Sequence, residues 1–378
     1  MYGYLLALTV ASAAGLQGWG TLYNNFAFET VGLNGFQIGG IQSVREIPGL
    51  LALFVIFLTV FVKEQRVSAL SIICMGIGIM LTGFLPTFSG LLLCTLIMSF
   101  GFHYYETTNQ SLILQYFDEY QSPLVMGKQR SMMSLVSVVV GVAIFLVSGI
   151  LSYAMMFLGI GIMVFFVGLW CSFKMPRNEN IHKQHKQMVL KRKYSLFYIL
   201  TLLSGARRQI FMVFSVFLLV KKFGFTVQQV TLLFVANNIV NYFAAPFVAK
   251  LIKRYGERKI LSWEYGSLII IFISYAHCPD KYIVAGLYML DHIAFNGSMA
   301  IRTYFQKIAE KKDISSSTAV SFTINHLAAV VLPVIGGYLW MIDYRIPFYM
   351  GALLGAISFC AAMFIKLPAV QVNSCISK

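Results

Sequence analysis

Charged residues are scarce in this chain. Only 11% of its 378 residues are Asp, Glu, Lys or Arg, whereas 58% are hydrophobic. Soluble domains carry about a quarter charged residues, so a chain this apolar cannot keep its surface in water. The composition therefore excludes an ordinary soluble protein and predicts an all-α membrane protein with the lipid bilayer as its main partner.

Cysteine and sequence motifs for chemistry are also sparse. The six cysteines are scattered, without a CxxC pair or a His/Cys cluster, so we expect neither disulfides nor a metal site. The absence of a G-x-x-x-x-G-K-[ST] loop argues against ATP-driven work. The absence of H-E-x-x-H, paired-aspartate and Ser/His/Asp motifs argues against an enzyme, and we expect no cofactor.

Acidic residues are fewer than basic ones, 14 against 29, which gives a formal net charge of +15. In a soluble protein such a balance suggests nucleic-acid binding. No basic patch here is interleaved with stacking aromatics outside the apolar blocks, so we expect contact with anionic lipid and not with nucleic acid.

The apolar blocks predict twelve membrane-spanning helices, each near or above the ~20 residues that a bilayer requires. Their predicted ranges are 2–27, 35–62, 67–86, 88–117, 129–152, 154–173, 195–221, 226–252, 259–277, 281–309, 315–341 and 345–366. A basic segment separates the sixth helix from the seventh, and its cations are Lys174, Arg177, Lys183, Lys186, Lys191, Arg192 and Lys193. The predicted domains are thus 1–173, a linker at 174–194, and 195–378.

Most Lys and Arg residues between the predicted helices lie on the side of the linker. The positive-inside rule then predicts that the linker and both termini are cytoplasmic, in a cell inner membrane. The two halves also resemble each other: Val147–Leu151 aligns with Ile335–Leu339, and Gln115–Phe117 aligns with Thr303–Phe305. Duplicated halves around a central loop are typical of transporters.

The segment Ala249–Lys259 resembles the loop pattern G-x-L-x-D-R-x-G-R-[RK] of the major facilitator superfamily. It matches at Arg254, Gly256, Arg258 and Lys259, and has Lys253 where the family has Asp. The run Pro333–Gly337 is similar to the family's Gly-rich end-of-half pattern. The resemblance implies two pseudo-repeated six-helix bundles, a central cavity lined by helices 1, 4, 7 and 10, and a conformational role for the four matching loop residues. It also favours a monomer.

Charged side chains in the middle of a span are costly in lipid, so each is a candidate for function. His103, Glu106 and Gln110 fall on one stripe of predicted helix 4. Glu106 is the first candidate proton carrier, and the others are Asp291, His103 and Glu46. The alternative for Glu106 is a tether to an arginine of another helix.

Arginine offers a planar donor fork that suits carboxylate or phosphate. Of the adjacent Arg207 and Arg208, we expect one to face the cavity and the other to snorkel or find a partner. Asp291 and Arg302 are predicted to share one wall of helix 10. The family resemblance implies a peripheral position for Glu264, where we expect it to anchor a loop. The candidate substrate contacts are Arg45, Arg207, Arg208, Arg302, Gln110, Asn109, Gln17, Asn24, His292, Asn325 and His326. The alternative for each polar group is an interhelical hydrogen bond.

The leading hypothesis is a secondary active transporter that moves a small polar, anionic organic solute with protons by alternating access. One alternative is a proton-coupled exporter of drugs or secreted metabolites, although helix 5 lacks the proline of the G-P-x-x-G-G pattern that drug antiporters of the family carry. An alternative of another class is a channel or a non-transporting membrane sensor.

Overall fold

The computed structural model describes residues 1–33, 35–176, 184–185, 187–225 and 227–366. Within these ranges the chain forms twelve long helical segments, α1 to α12. The first six are α1 (Tyr2–Asn25, with a π-turn at Phe26–Thr30), α2 (35–61), α3 (Glu64–Thr82), α4 (Phe88–Tyr116), α5 (Ser122–Val147) and α6 (Tyr153–Phe173). The last six are α7 (195–221), α8 (Val227–Tyr255), α9 (Glu257–His277), α10 (281–308), α11 (Ile314–Ile342) and α12 (Ile346–Met363).

By length and composition, ten helices of the described chain are long and apolar enough to cross a membrane. With α10 and α11, the other two long helical segments, the number of helices equals the twelve that the sequence predicted. The predicted twelve-helix architecture is therefore confirmed. Part of the basic linker, including Arg177, Lys183 and Lys186, and residues 367–378 lie outside the described ranges, so the domain limits stay predictions.

Helix α5 begins earlier than the sequence suggested, at Ser122 instead of residue 129. Pro123 occupies the first turn, where its missing N–H is no loss because that position has no intrahelical partner. The Asp118 carboxylate accepts hydrogen bonds from the Tyr120 and Gln121 amides and closes the turn just before the helix. Arg130, which a start at residue 129 would place in the first turn of the helix, consequently lies deeper in the span.

Each half is a six-helix bundle, and in the first half the helix backbones approach one another closely. In the first half, α3 packs extensively between α4 and α6. A Cβ on Gly78 would lie 2.4 Å from the Met98 amide nitrogen, so only glycine fits this crossing. In the second half the largest contacts join α9 to α12 and α7 to α11.

The two halves meet along α5 with α8 and along α2 with α11. At mid-depth the Ser131 hydroxyl donates to the Tyr242 carbonyl at 2.7 Å, and the Leu53 amide donates to the Thr323 hydroxyl at 3.0 Å. We call the side on which α1 begins and the linker attaches the linker face. There Gln306 donates to the Phe117 carbonyl at 2.6 Å. Hydrogen bonding in the described chain thus joins the halves at mid-depth and at the linker face.

Three helices are irregular near their centres. Helix α2 is interrupted at Glu46, two residues before Pro48, because proline cannot donate to the helical ladder. Helix α7 contains a π-turn at Phe211–Ser215, and α10 contains a 3₁₀ turn at Asn296–Ser298. Irregular backbone at membrane depth is tolerated where protein or a water-filled cavity surrounds it, and it commonly marks a functional region.

Candidate functional site

A cavity of about 310 Å³ lies between the halves at mid-depth. Its walls come from α1, α4, α5, α7, α8, α10 and α11, so both bundles contribute. Its charged groups are Glu106, Arg130, Arg208 and Arg302. Further polar side chains in its walls are Thr9, Ser12, Asn109, Gln110, Gln129, Thr201, Ser204, Asn241, His292 and Asn325. The volume is at the small end of ligand-binding sites.

Arg130 ties α5 to α10 across the cavity. Its Nη1 donates to the Phe295 carbonyl at 3.3 Å and to Asn296 Oδ1 at 3.1 Å, and its Nη2 donates to the Ser298 hydroxyl at 3.1 Å. Arg130 was not among the predicted site residues, because a helix that starts at residue 129 places it in the first turn, whereas α5 starts at Ser122. The signal that could have found it is Pro123, which favours the first turn of a helix.

Arg208 of α7 and Arg302 of α10 also line the cavity and are half-buried. Among the described residues, neither guanidinium has a hydrogen bond or an ion pair. A partly desolvated guanidinium that no carboxylate contacts directly is unfavourable, and its donor fork is available to a ligand.

Glu106 supplies the carboxylate of the cavity wall. Gln110, one turn along α4, donates to Glu106 Oε1 at 3.4 Å. Asn109 and Gln129 exchange two hydrogen bonds, at 3.2 and 3.0 Å, and so connect α4 to α5. Glu106 is therefore held by a neutral amide, while the arginines of the same cavity lie on other helices.

Arg207 lies outside this cavity, in the core of the second half. Its Nη1 is 3.6 Å from Glu264 Oε1, and its guanidinium lies 4.2 Å from the Tyr265 ring centroid. Glu264 is 4% exposed, which corrects the expectation that it anchors a loop. A Cβ on Gly297 would lie 2.7 Å from Glu264 Oε2, so the glycine of the 3₁₀ turn makes room for this carboxylate.

Asp291 is also buried away from the cavity, and its Oδ2 has no hydrogen-bond partner in the described chain. The expectation that Asp291 and Arg302 share one wall of α10 is wrong. The cause is the intervening 3₁₀ turn: three residues at 3.0 per turn rotate the helix about 60° more than three α-helical residues. His292, the neighbour of Asp291, lines the cavity instead, and its Nδ1 bonds to the Tyr288 carbonyl at 3.1 Å.

Two α1 residues proposed as substrate contacts lie outside the cavity walls. Gln17 donates to the Thr21 hydroxyl at 3.1 Å, and Asn24 is exposed. The cavity residues of α1 are Thr9 and Ser12, which lie nearer the linker face. Asn325, by contrast, lines the cavity and donates to the Thr201 carbonyl at 3.3 Å, which joins α11 to α7.

A second group of titratable side chains lies beside the α2 interruption. Glu46, His103 and His326 each bring a ligand atom within 4.8 Å of those of the other two. The two imidazole rings lie 4.8 Å apart at 87°. Arg45 donates to Glu46 Oε1 at 3.0 Å. None of these four residues is in the described wall of the central cavity.

The four residues proposed for conformational change lie at the junction of α8 and α9. Gly256 has φ +80°, a conformation that side chains disfavour, which explains the glycine at this turn. Arg254, Arg258 and Lys259 are exposed at the linker face. The adjacent Glu257 is buried and pairs with Lys307 of α10 at 2.9 Å.

Solvent-exposed ion pairs attach the linker to the turn between α10 and α11. Glu310 pairs with Lys193, with Lys191 at 3.0 Å and with Lys312 at 3.3 Å. These three ammonium groups, of which Lys193 has the largest effect, lower the pKa of the Glu310 carboxyl to about 2. Lys191 also contacts the buried Asp313 at 2.6 Å.

Twelve helices in two bundles, with a polar cavity at mid-depth between them, define an integral multi-pass membrane protein of the transporter type. The family model of the Major Facilitator Superfamily matches residues 5–300 and 197–374. The chain belongs to that superfamily.

Solved structures agree with this assignment. The human organic anion transporter MFSD10 (TETRAN) superposes with TM-score 0.77 at 10% identity, covering 96% of this chain and 98% of its own. FucP, the E. coli fucose:proton symporter, gives TM-score 0.77 at 14% identity, with 97% and 99% covered. A bacterial homologue of the iron transporter ferroportin gives 0.76 at 14%, with 96% and 98% covered. At these identities the likeness concerns the fold alone, and no curated protein matches the chain by sequence.

Proposed function

We propose that the chain is a secondary active transporter that moves a small polar, anionic organic solute across the membrane by alternating access, coupled to protons. The observation that carries this proposal is the pair Arg208 and Arg302. Both guanidinium groups line the mid-depth cavity, and neither makes a hydrogen bond or a direct ion pair within the described chain.

Charge is the argument for an anionic solute. Three guanidinium groups face the cavity against one carboxylate, Glu106. Each cation pays a desolvation cost that a counter-ion offsets, and a solute carboxylate can accept two parallel hydrogen bonds from a guanidinium fork. The volume of about 310 Å³ favours a solute of metabolite size.

Proton coupling rests on Glu106, which shares the cavity with the arginines. In its ionised form Glu106 competes with an anionic solute for the same cations, and in its protonated form it does not. A proton and an anion would therefore bind together, which is the thermodynamic requirement for symport. Asp291, His103 and Glu46 are weaker candidates because they lie outside the cavity walls of the described chain.

Access to the cavity would alternate by rocking of the predicted domains 1–173 and 195–378 about the linker. Hydrogen bonds join the halves at mid-depth and at the linker face, as between Gln306 and Phe117. If the linker face is cytoplasmic, as the distribution of Lys and Arg predicts, this conformation faces outward. The proposal includes both termini in the cytoplasm, an inner-membrane location, a monomer, no catalytic activity, and residues Arg254, Gly256, Arg258 and Lys259 as a loop that moves with the halves.

The test is counterflow of labelled organic anions in proteoliposomes of the full chain. Exchange without a gradient identifies a carrier, whereas flux without counterflow identifies a channel. Accumulation that a proton gradient drives inward is expected to disappear in Glu106→Gln while exchange persists. The matched control is Glu119→Gln, a carboxylate exposed in the α4–α5 turn, which is expected to behave as the parent. Full accumulation by Glu106→Gln would remove Glu106 from the mechanism. Accumulation by the parent protein only when the proton gradient is directed outward would favour the exporter, which is an antiporter.

A further inference from the structure

We propose that Glu46, His103 and His326 form a binding site for a divalent transition-metal ion at the interface of the two halves. The site is separate from the arginine-lined cavity and does not rest on the proposed anion transport. It departs from the expectation of no metal that the sequence suggested, because its ligands come from α2, α4 and α11 and meet only in the fold.

The three side chains already lie nearly close enough together to hold one metal ion. Their ligand atoms all lie within 4.8 Å of one another. Ligands about 2.0–2.2 Å from a zinc ion lie about 3.5 Å apart in tetrahedral geometry, so the groups need to close by roughly 1 Å. His103 and His326 are 4% and 3% exposed, so bulk water does not compete for their nitrogens.

The surroundings orient two of the ligands as metal sites commonly do. His326 Nδ1 lies 3.0 Å from the Phe322 carbonyl, which holds the proton on Nδ1 and leaves the Nε2 lone pair free. Arg45 donates to Oε1 of Glu46, so Oε2 is available as a ligand. A backbone carbonyl behind an imidazole and a hydrogen-bonded carboxylate are the usual outer partners of metal ligands.

His103 provides an independent observation. Its Nδ1 is buried and has no hydrogen-bond partner in the described chain. Buried polar nitrogens are nearly always paired, so an unpaired one requires an explanation, and a bound ion is one that fits this group of ligands. A metal ion between His103 and His326 would use this nitrogen.

The backbone of α2 is shaped around His326. A Cβ on Gly49 would lie 2.3 Å from the His326 ring, so only glycine allows α2 to approach the imidazole this closely. The interruption of α2 before Pro48 sets Glu46 at a turn between two helical segments.

The donor set indicates the class of ion. Two imidazoles and one carboxylate suit Zn²⁺, Fe²⁺ or Ni²⁺, whereas Mg²⁺ and Ca²⁺ require mainly oxygen ligands. Arg45 offsets the charge of Glu46, which disfavours ions held by charge alone and leaves lone-pair donation from imidazole as the source of affinity. Three protein ligands leave a coordination position open for water or another ligand, unlike the closed four-ligand set of a structural zinc site.

Metal binding would stabilise the conformation seen here. Glu46 and His103 belong to the first half and His326 to the second, so one ion bridges both halves. Movement of α2 relative to α11 would separate the ligands. The ion is therefore expected to bind this state more tightly than a state in which the halves part at mid-depth.

Equilibrium binding to the purified full chain in detergent tests the site without reference to transport. Calorimetry with Zn²⁺ and Ni²⁺ is expected to give one equivalent bound, with no competition from Mg²⁺ or Ca²⁺. His103→Gln, His326→Gln and Glu46→Gln should each weaken binding by at least about 10-fold. His277→Gln is the control, because His277 bonds to Tyr349 at the far end of α9, and it should bind as the parent does.

Gly49→Ala keeps all three ligands and displaces the His326 ring, so it is expected to weaken binding while the chain remains monodisperse. X-ray absorption of the zinc-loaded parent should report two imidazole ligands. The proposal is overturned if the parent shows no saturable binding, if binding survives in both histidine variants, or if the absorption spectrum lacks the two-imidazole signature. None of these results bears on whether an organic anion occupies the cavity.

Discussion

Arg207 and Arg208 are neighbours in the sequence and on α7, yet they lie in different environments. Arg207 is 2% exposed, 3.6 Å from Glu264, and stacked on Tyr265. Arg208 is half-buried in the wall of the central cavity and has no partner in the described chain. Adjacent helical residues point about 100° apart, so one turns to the core of its bundle and the other to the interface between bundles.

The difference separates a structural role from a binding role for the same side chain. A guanidinium in the dry core requires a permanent counter-ion, and Glu264 supplies it. A guanidinium in a wet cavity can exchange water for a ligand. The ions around Glu310 at the linker face form a third case, because water surrounds them. Removal of one charge should therefore matter most in the core, less in the cavity and least at the linker face.

The largest effect is expected for Glu264→Ala, which leaves Arg207 charged and unpaired in the core. Breaking a buried ion pair on one side costs about 3–5 kcal/mol. The free energy of unfolding, followed by SDS titration in mixed micelles, should fall by this amount for Glu264→Ala and for Arg207→Ala.

The double variant Arg207→Met with Glu264→Leu sharpens the comparison. A hydrophobic replacement of a whole buried pair is often neutral or stabilising, so the double variant should recover most of the lost stability and keep solute exchange. Recovered stability with abolished exchange would mean that Arg207 also acts in transport, and the division between the two arginines would then fail.

An intermediate effect, on binding and not on stability, is expected for Arg208→Ala. Loss of a hydrogen bond to a charged ligand costs about 1.5–3 kcal/mol, which corresponds to roughly 10- to 100-fold weaker binding of an anionic solute. Binding measured by thermal shift or by exchange in proteoliposomes should show this loss, and Arg208→Lys should show less of it, since it keeps the charge without the fork.

Arg66→Ala is the control for Arg208→Ala, because Arg66 is exposed at the linker face. It should change neither solute affinity nor stability. If Arg208→Ala and Arg302→Ala both bind the transported solute as tightly as the parent does, the solute is not an anion held by these arginines.

The helices could be predicted from the sequence because a membrane span is a local property of the chain. About twenty apolar residues suffice to predict one, and mid-span charges such as Glu106, Arg208 and Arg302 stand out against lipid. All three line the central cavity in the structure. The agreement ends where the position of a residue depends on a detail of the backbone or on another helix.

Two of the differences have local causes that periodicity could not capture. Arg130 lines the cavity because α5 begins at Ser122, and Asp291 lies outside the cavity because a 3₁₀ turn follows it in α10. The meeting of His103 with His326 is different in kind, since the residues belong to separate halves. Long-range pairing of this sort depends on how the bundles pack, which no spacing within one helix encodes.

The smallest effect is expected at the linker face. Exposed ion pairs contribute little to stability, because water and salt screen them.

The pKa of Glu310 is lowered to about 2 by Lys193, Lys191 and Lys312. The contribution of these ion pairs to the attachment of the linker is therefore fully present above the ordinary carboxyl pKa of about 4.5 and is lost as pH falls towards 2. Cleavage of the linker by pepsin, measured relative to cleavage of an unfolded substrate at the same pH, should therefore increase only a few-fold between pH 4.5 and pH 2. In Glu310→Gln cleavage should already be raised at pH 4.5 and should change less with pH. A pH response as large in Glu310→Gln as in the parent would assign the attachment to Asp313 and Lys191 instead, and a loss of global stability in this variant would contradict the ranking of core, cavity and surface ions.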